Sequence, residues 1–190
     1  MSRAPGPGPG VRAVLVTDLE LTSPDQLRPT PPPARAPDLV RAESPAPELS
    51  RFFYRAVGGD WYWLDRLDWT LAQWDEWVRL PGHELWSCWL DGAPVGYVEL
   101  QPDAPGSVEI AYFGLLPAYV GRGLGGWLLT QAVERAWAAP GTTRVWLHTC
   151  ELDSPAAMPN YRARGFVPCG TSVEYWDTSE PSPGPWRGAR

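Results

Sequence analysis

Lysine is missing from this chain: all 16 basic residues are arginine. That excludes Schiff-base chemistry on the protein and a phosphate loop built on lysine. Cysteine is scarce and odd in number, with Cys88, Cys150 and Cys169 scattered. No CxxC pair and no His/Cys spacing of a metal site occurs, so neither a disulfide framework nor a metal centre is expected. A reduced, cytoplasmic setting follows. There is no apolar run of membrane-spanning length, and the start lacks the charged-then-apolar pattern of a signal peptide. Positive charge is short, with 22 acidic residues against 16 basic ones and no basic run. Non-specific binding to nucleic acid is therefore not expected.

What is present suits one folded domain. The chain has 190 residues, 44% of them hydrophobic, enough for a proper core. Tryptophan is unusually abundant, with 12 residues. The use of Arg for Lys, with abundant Ala, Gly and Pro, reads as genome composition rather than function.

Residues 1–37 form a Pro/Gly-rich segment, unpatterned over 1–10 but with a possible extra strand at 11–21. Residues 22–37 read as a linker or an extended wrap over the surface. The main domain is expected over 38–177, and a loose Pro/Gly tail over 178–190. Within the domain, 38–42 suits a short strand. Residues 47–57 carry a helical apolar pattern that Gly58 and Gly59 end. Residues 70–80 place Leu71, Trp74, Trp77 and Val78 at helical spacing behind a Thr70 cap. Strands at 84–90 and 94–100 flank Asp91-Gly92, a strong hairpin signal. With a third strand at 108–116 they make an antiparallel meander. A helix over 123–138 leads to a strand at 144–150, a crossover that makes this last pair of strands parallel. A helix at 154–164 and one strand or a pair at 166–176 complete the domain.

The chain is organised around residues 108–126, VEIAYFGLLPAYVGRGLGG. A strand runs through a Pro-containing loop into a glycine cluster that opens a helix. Backbone amides freed at such a helix start make an anion site. Formally, residues 121–126 satisfy the GxGxxG dinucleotide fingerprint. The fit fails in context. In that fingerprint the first glycine ends the strand, whereas residues 116–120 intervene here. Glu151 also lies too far on for the ribose, and the preceding strands form a meander.

The better match is the GNAT superfamily of N-acetyltransferases, which the chain resembles from about residue 39 to 176. That family's cofactor loop reads R/Q-x-x-G-x-G/A after a strand and a Pro turn; here it is Val120-Gly121-Arg122-Gly123-Leu124-Gly125. Its later signature reads N-x-x-A-x-x-x-Y then x-x-x-G-F; here it is Ser154-Pro155-Ala156-Ala157, Tyr161 and Gly165-Phe166. The order of elements agrees. Val120 replaces the usual Arg or Gln, and Ser154 replaces the usual Asn, which loses an amide that often contacts the cofactor.

The resemblance implies an α/β (α+β) fold: a mixed, mostly antiparallel central sheet with flanking helices. It implies acetyl-CoA as donor, a primary amine of a small molecule as acceptor, and direct attack in a ternary complex. Phe113, Leu115 and Leu116 would pair their main-chain groups with the pantetheine arm. Gly114 would mark the bulge that splays the strands. Gly121, Arg122, Gly123, Gly125 and Gly126 would surround the pyrophosphate, with Ser154 nearby. Tyr161 would give a proton to the departing sulfur. Glu109 is the candidate base, against the alternative of a carboxylate on a solvated strand face. Glu99 is the second choice, as base or as a partner for the acceptor's charge. His148 is read as a satisfied core or edge histidine, His83 as exposed in a turn, Asn160 as without a role, and all three cysteines as packing.

The helices before the meander would shape the acceptor pocket. Phe53, Tyr54, Trp61 and Trp63 are candidates for an aromatic wall around a flat or cationic acceptor, and core packing is the alternative. Two other functions stay open: a protein or peptide N-acetyltransferase of the same fold, and a non-catalytic CoA- or NAD-binding module. A homodimer is left open as well.

Overall fold

The structure is a computed structural model and describes residues 8–186 and 188. Residues 1–7 of the N-terminal Pro/Gly stretch lie outside the described residues. One mixed sheet of seven strands runs through the molecule in the order β2-β3-β4-β5-β6-β1-β7. Its strands are β1 (Val11–Leu21), β2 (Asp38–Arg41), β3 (Glu84–Leu90), β4 (Ala93–Ala104), β5 (Ser107–Leu115), β6 (Arg144–Cys150) and β7 (Val167–Asp177). The helices are α1 (Pro47–Gly58), α2 (Leu71–Val78), α3 (Leu124–Ala138) and α4 (Ala157–Ala163). The last strand is single, and α4 starts later than its sequence pattern suggests.

Local chemistry sets the element ends. Thr70 and Gln73 cap α2 reciprocally: Gln73 N donates to Thr70 Oγ1 and Thr70 N to Gln73 Oε1, the capping-box arrangement. Asp91 and Gly92 both take positive φ, 56° and 78°, as the tight turn between β3 and β4 requires. On β4, strict alternation sends Val98 and Leu100 to one face and Tyr97, Glu99 and Gln101 to the other. The first face meets α3 through Leu128, Leu129, Ala132 and Val133, forming the main core. The second face meets α1, where Phe53, Val57 and Tyr97 form a smaller cluster.

The strand at 11–21 is no appendage. It sits inside the sheet, antiparallel to β6 on one side and β7 on the other, with Val14, Val16, Leu19 and Leu21 buried. The Pro-rich stretch that follows is a wrap rather than a free linker. Arg28 N donates to Arg164 O at 3.0 Å, and Thr30 N to Thr130 Oγ1 at 3.0 Å. The stretch thus crosses α4 and α3 to reach β2. Of the tail expected to be loose, residues 187, 189 and 190 lie outside the described residues, and residues 182–184 are tied down. Ser182 Oγ and Gly184 N both donate to Gly59 O, at 2.8 and 2.7 Å.

What opens the sheet is a parting of β5 from β6. The two run parallel and pair at Ser107↔Arg144, Val108↔Val145 and Glu109↔Trp146, and no further. Just beyond, Ala111 drops out of register with β4: Ile110 faces Leu100, while Tyr112 faces Glu99. Such a bulge bends its strand and raises its twist. The expectation that Gly114 carries this bulge is corrected. Gly114 is in register with Tyr97. A Cβ there would lie 2.3 Å from Val57 Cγ1, so the glycine lets α1 press onto the sheet.

Candidate active site

The parting leaves a cleft of about 570 Å³. One wall is β5 from Ile110 to Leu115. Its main-chain groups on that edge have lost their β6 partners, so an extended ligand could pair with them. Phe113 and Leu115 line the cleft. Leu116 does not. Its N–H is spent on Val95 O at 2.9 Å, and its side chain packs against the α1 cluster.

At one end the cleft meets the start of α3, lined by Gly121, Gly123, Gly125 and Gly126. Gly123 occupies the cap position at φ 78° with no side-chain cap. The first amides of α3 are therefore open to an anion. Arg122 is not part of the lining; its guanidinium stands 5.0 Å over the Tyr119 ring. Arg164 from the end of α4 lines this end instead, and its Nε is buried without a partner among the described residues. A Cβ on Gly126 would lie 2.2 Å from Arg164 Nη1 and 2.7 Å from Thr30 Oγ1, so the wrap and α4 close tightly on the helix start. Asn160 ties these parts together, donating from Nδ2 to Gly125 O at 3.3 Å and accepting from Arg164 Nη1 at 3.3 Å. It has a positioning role that its sequence context did not suggest. Ser154 lines the cleft, its Oγ accepting from Ala156 N at 3.3 Å.

Midway lies Tyr161 of α4. Its ring packs against Phe113 and Phe166. Burial, with Asp153 and Cys150 beside it, pushes its hydroxyl further up from the usual range. It therefore holds its proton at neutral pH. Burial and Asp153 push the Cys150 thiol up to about 11, so it is protonated and a poor nucleophile.

The other end is aromatic and acidic. Tyr54, Trp61, Trp63 and Asp65 line it. Phe53 does not: it is fully buried and stacks on Tyr97 at 5.0 Å and 9°, because its side of α1 faces the sheet. Trp63 Nε1 donates to Asp153 Oδ1 at 3.2 Å, and Asp153 Oδ2 accepts from Thr149 Oγ1 and Cys150 N. The guanidinium of Arg66 lies 3.8 Å from the Trp77 ring centroid and 4.7 Å from that of Tyr112, which braces the aromatic segment from behind.

The two carboxylates singled out from sequence sit in different surroundings. Glu99 is sealed in, its side chain 1% exposed. It accepts from Ser50 Oγ at 2.5 Å and Trp77 Nε1 at 2.5 Å, with His83 Nε2 at 3.3 Å. It is not in the cleft, and the sequence expectation for His83 is also corrected. The imidazole is 2% exposed, drawn in by that carboxylate. Glu109 stands where β5 and β6 part, with Oε1 3.0 Å from His148 Nδ1. His148 itself lines the cleft. The parallel pairing of Glu109 with Trp146 was the signal that could have found this pair, since His148 is two residues along on the same face.

Comparison with known proteins agrees with this geometry. Residues 44–166 match the model of the Acetyltransferase (GNAT) family. No functionally curated protein matches the sequence. A GCN5-related N-acetyltransferase from Kribbella flavida superposes with a TM-score of 0.60 at 25% identity, over 88% of this chain and 60% of that one. One from Sphaerobacter thermophilus gives 0.57 at 21% identity, over 92% and 54%. The chain thus spans little more than half the length of these two relatives. An aminoglycoside acetyltransferase from an uncultured soil metagenomic sample, in complex with sisomicin, gives 0.54 at 12% identity over 67% and 86%, which speaks for the fold alone. With the family matched over most of its length, a parted pair of parallel strands and a glycine-opened helix at the cleft, this chain belongs to the GNAT acetyltransferase family.

Proposed function

We propose that this protein transfers the acetyl group of acetyl-CoA to the primary amine of a small molecule. One observation carries the reading: a single cleft runs from the open amides of α3, past the Tyr161 hydroxyl, to an aromatic and acidic mouth. A pyrophosphate-bearing thioester suits its first half. The α3 amides and Arg164 would take the phosphates, and the free edge of β5 would take an extended amide-bearing arm. When bound, acetyl-CoA supplies the activated acetyl group. Tyr161 would hold a proton for the sulfur that leaves. Tyr54, Trp61 and Trp63 would wall a flat or apolar acceptor, and Asp65 would favour its positive charge.

The test is a panel of amines assayed by free thiol release from acetyl-CoA. 2-Phenylethylamine, spermidine and an aminoglycoside, kanamycin, sample the acceptor chemistries the mouth admits. Turnover with at least one is expected. A thermal-shift series runs beside it, in which acetyl-CoA should raise Tm because it binds the folded state. Stabilisation by NAD(H) alone would sink the reading, and turnover only with peptide N-termini would move the acceptor class to proteins.

A further inference from the structure

We propose that His148 takes the proton from the acceptor amine, and that Glu109 is the residue that positions it; this rests on the acetyl-transfer reading above. The roles differ from those the sequence suggests, where Glu109 is the base and His148 a structural residue. Of the two, only the imidazole lines the cleft. It is half exposed, whereas the Glu109 side chain is 17% exposed. The carboxylate lies 3.0 Å from Nδ1. That contact keeps a proton on Nδ1 and leaves Nε2 as the acceptor.

The surroundings favour a strong base. The charged groups facing the ring are Glu109 from β5, Asp153 from the loop after β6, and Asp18 from β1, which is the register partner of His148. All are acidic. The hydrogen bond that His148 Nδ1–H donates to Glu109 leads in raising the imidazole's pKa above its ordinary value. A base whose conjugate acid has a higher pKa takes a proton from an ammonium at smaller cost.

Of the other candidates in the cleft, Asp65 accepts from the Tyr54 hydroxyl at 3.5 Å, and the rest are occupied or protonated. Both oxygens of Asp153 accept hydrogen bonds from the protein. Glu174 accepts from Trp176 Nε1 at 3.1 Å. Tyr161 and Cys150 hold their protons. Glu99 is outside the cleft.

The proton count closes. The acceptor nitrogen begins as an ammonium and ends as an amide, losing two protons. A carbon–nitrogen bond forms and the carbon–sulfur bond breaks. One proton goes to His148 Nε2 and then to solvent. The second balances the proton that Tyr161 gives to sulfur.

Two measurements test this. The first needs no acceptor: the nitrogen-detected imidazole titration of the free protein, which has 2 histidines, with His148→Gln assigning the resonance. In the wild type His148 should titrate above the ordinary imidazole value. In Glu109→Gln its midpoint should move to lower pH. An unmoved midpoint overturns the positioning role of Glu109. The second is the pH–rate profile with whichever probe amine turns over. His148→Gln should lose roughly 100-fold in kcat while acetyl-CoA still raises its Tm. In Glu109→Gln the rising limb should shift to lower pH with a reduced plateau. Free imidazole should restore part of the rate to His148→Ala. Undiminished turnover in His148→Gln overturns the base assignment and leaves the acetyl-transfer reading standing. No thiol release by the wild type with any amine of the panel overturns both.

Discussion

Glu99 offers the sharpest test of how the fold divides structural from chemical carboxylates. Its side chain sits between α1, α2 and β4 with three donors on it: Ser50 Oγ, Trp77 Nε1 and His83 Nε2. Consider first Glu99→Ala. The Trp77 indole N–H can only donate, so it loses its acceptor in a buried place. The Ser50 hydroxyl is fully buried too. Each orphaned group costs about 1–3 kcal/mol, and the vacated volume adds a cavity term. Together these give about 4 kcal/mol, a large part of the 5–15 kcal/mol typical of a whole domain. With a urea m-value near 2 kcal/mol/M, the unfolding midpoint should fall by about 2 M. Glu99→Gln should behave differently. Its amide oxygen can keep the bond to Trp77, and its NH2 can donate to Ser50 Oγ once that hydroxyl turns. The cost should be about 1 kcal/mol, or about 0.5 M urea, with turnover within a few-fold of wild type. Urea unfolding followed by Trp fluorescence, together with the thiol-release assay, reads both. A Gln variant as stable as the wild type but without turnover would return Glu99 to the chemistry. An Ala variant with an unmoved midpoint would refute the burial argument itself.

Three further outcomes are expected. Tyr161→Phe should reduce kcat by 100-fold or more with little change in the acetyl-CoA-induced Tm shift; an unchanged kcat removes the hydroxyl from proton donation. Gly114→Ala brings a Cβ to 2.3 Å from Val57 Cγ1 and should cost about 1–3 kcal/mol, and Gly114→Ala/Val57→Ala should recover part of it in the same urea assay. The Glu109–His148 pair has a signed pH dependence. Because Glu109 raises the folded pKa of His148, the pair's stabilisation is full below the unfolded imidazole value of about 6.5. It is lost as pH rises through the folded value. The Tm gap between wild type and His148→Gln should therefore be widest near pH 5 and narrow towards pH 9, and a gap that widens with pH would contradict the pairing.

Much of the architecture could be read from local patterns. Alternation in 94–100, the Asp91-Gly92 turn and the apolar ridge of Leu124, Leu128, Ala132 and Ala136 each point to one element type, and the structure agrees. The glycine-opened start of α3 was legible because the amides it frees are local. What escaped the sequence was set by pairing across the sheet. The bulge at Ala111 exists only relative to β4. The burial of His83 depends on a carboxylate on β4, 16 positions on. Phe53 and Tyr54 are neighbours on α1, yet one meets the sheet and the other the cleft, a difference fixed by helix rotation rather than residue type. Arg164 and Thr30 meet at Gly126 through a Pro-rich stretch with no periodicity to predict its path.

The place of β1 in the sheet also sets an order of events during synthesis. It leaves the ribosome before either neighbour: β1 ends at Leu21, whereas β6 begins at Arg144 and β7 at Val167. At about 5–20 residues per second, roughly 6–25 s pass before even the first partner exists. Throughout that interval a strand carrying Val14, Val16, Leu19 and Leu21 has both hydrogen-bonding edges unclaimed, a template for pairing with other chains. β1 therefore stays open to such pairing until β6 and β7 have followed it.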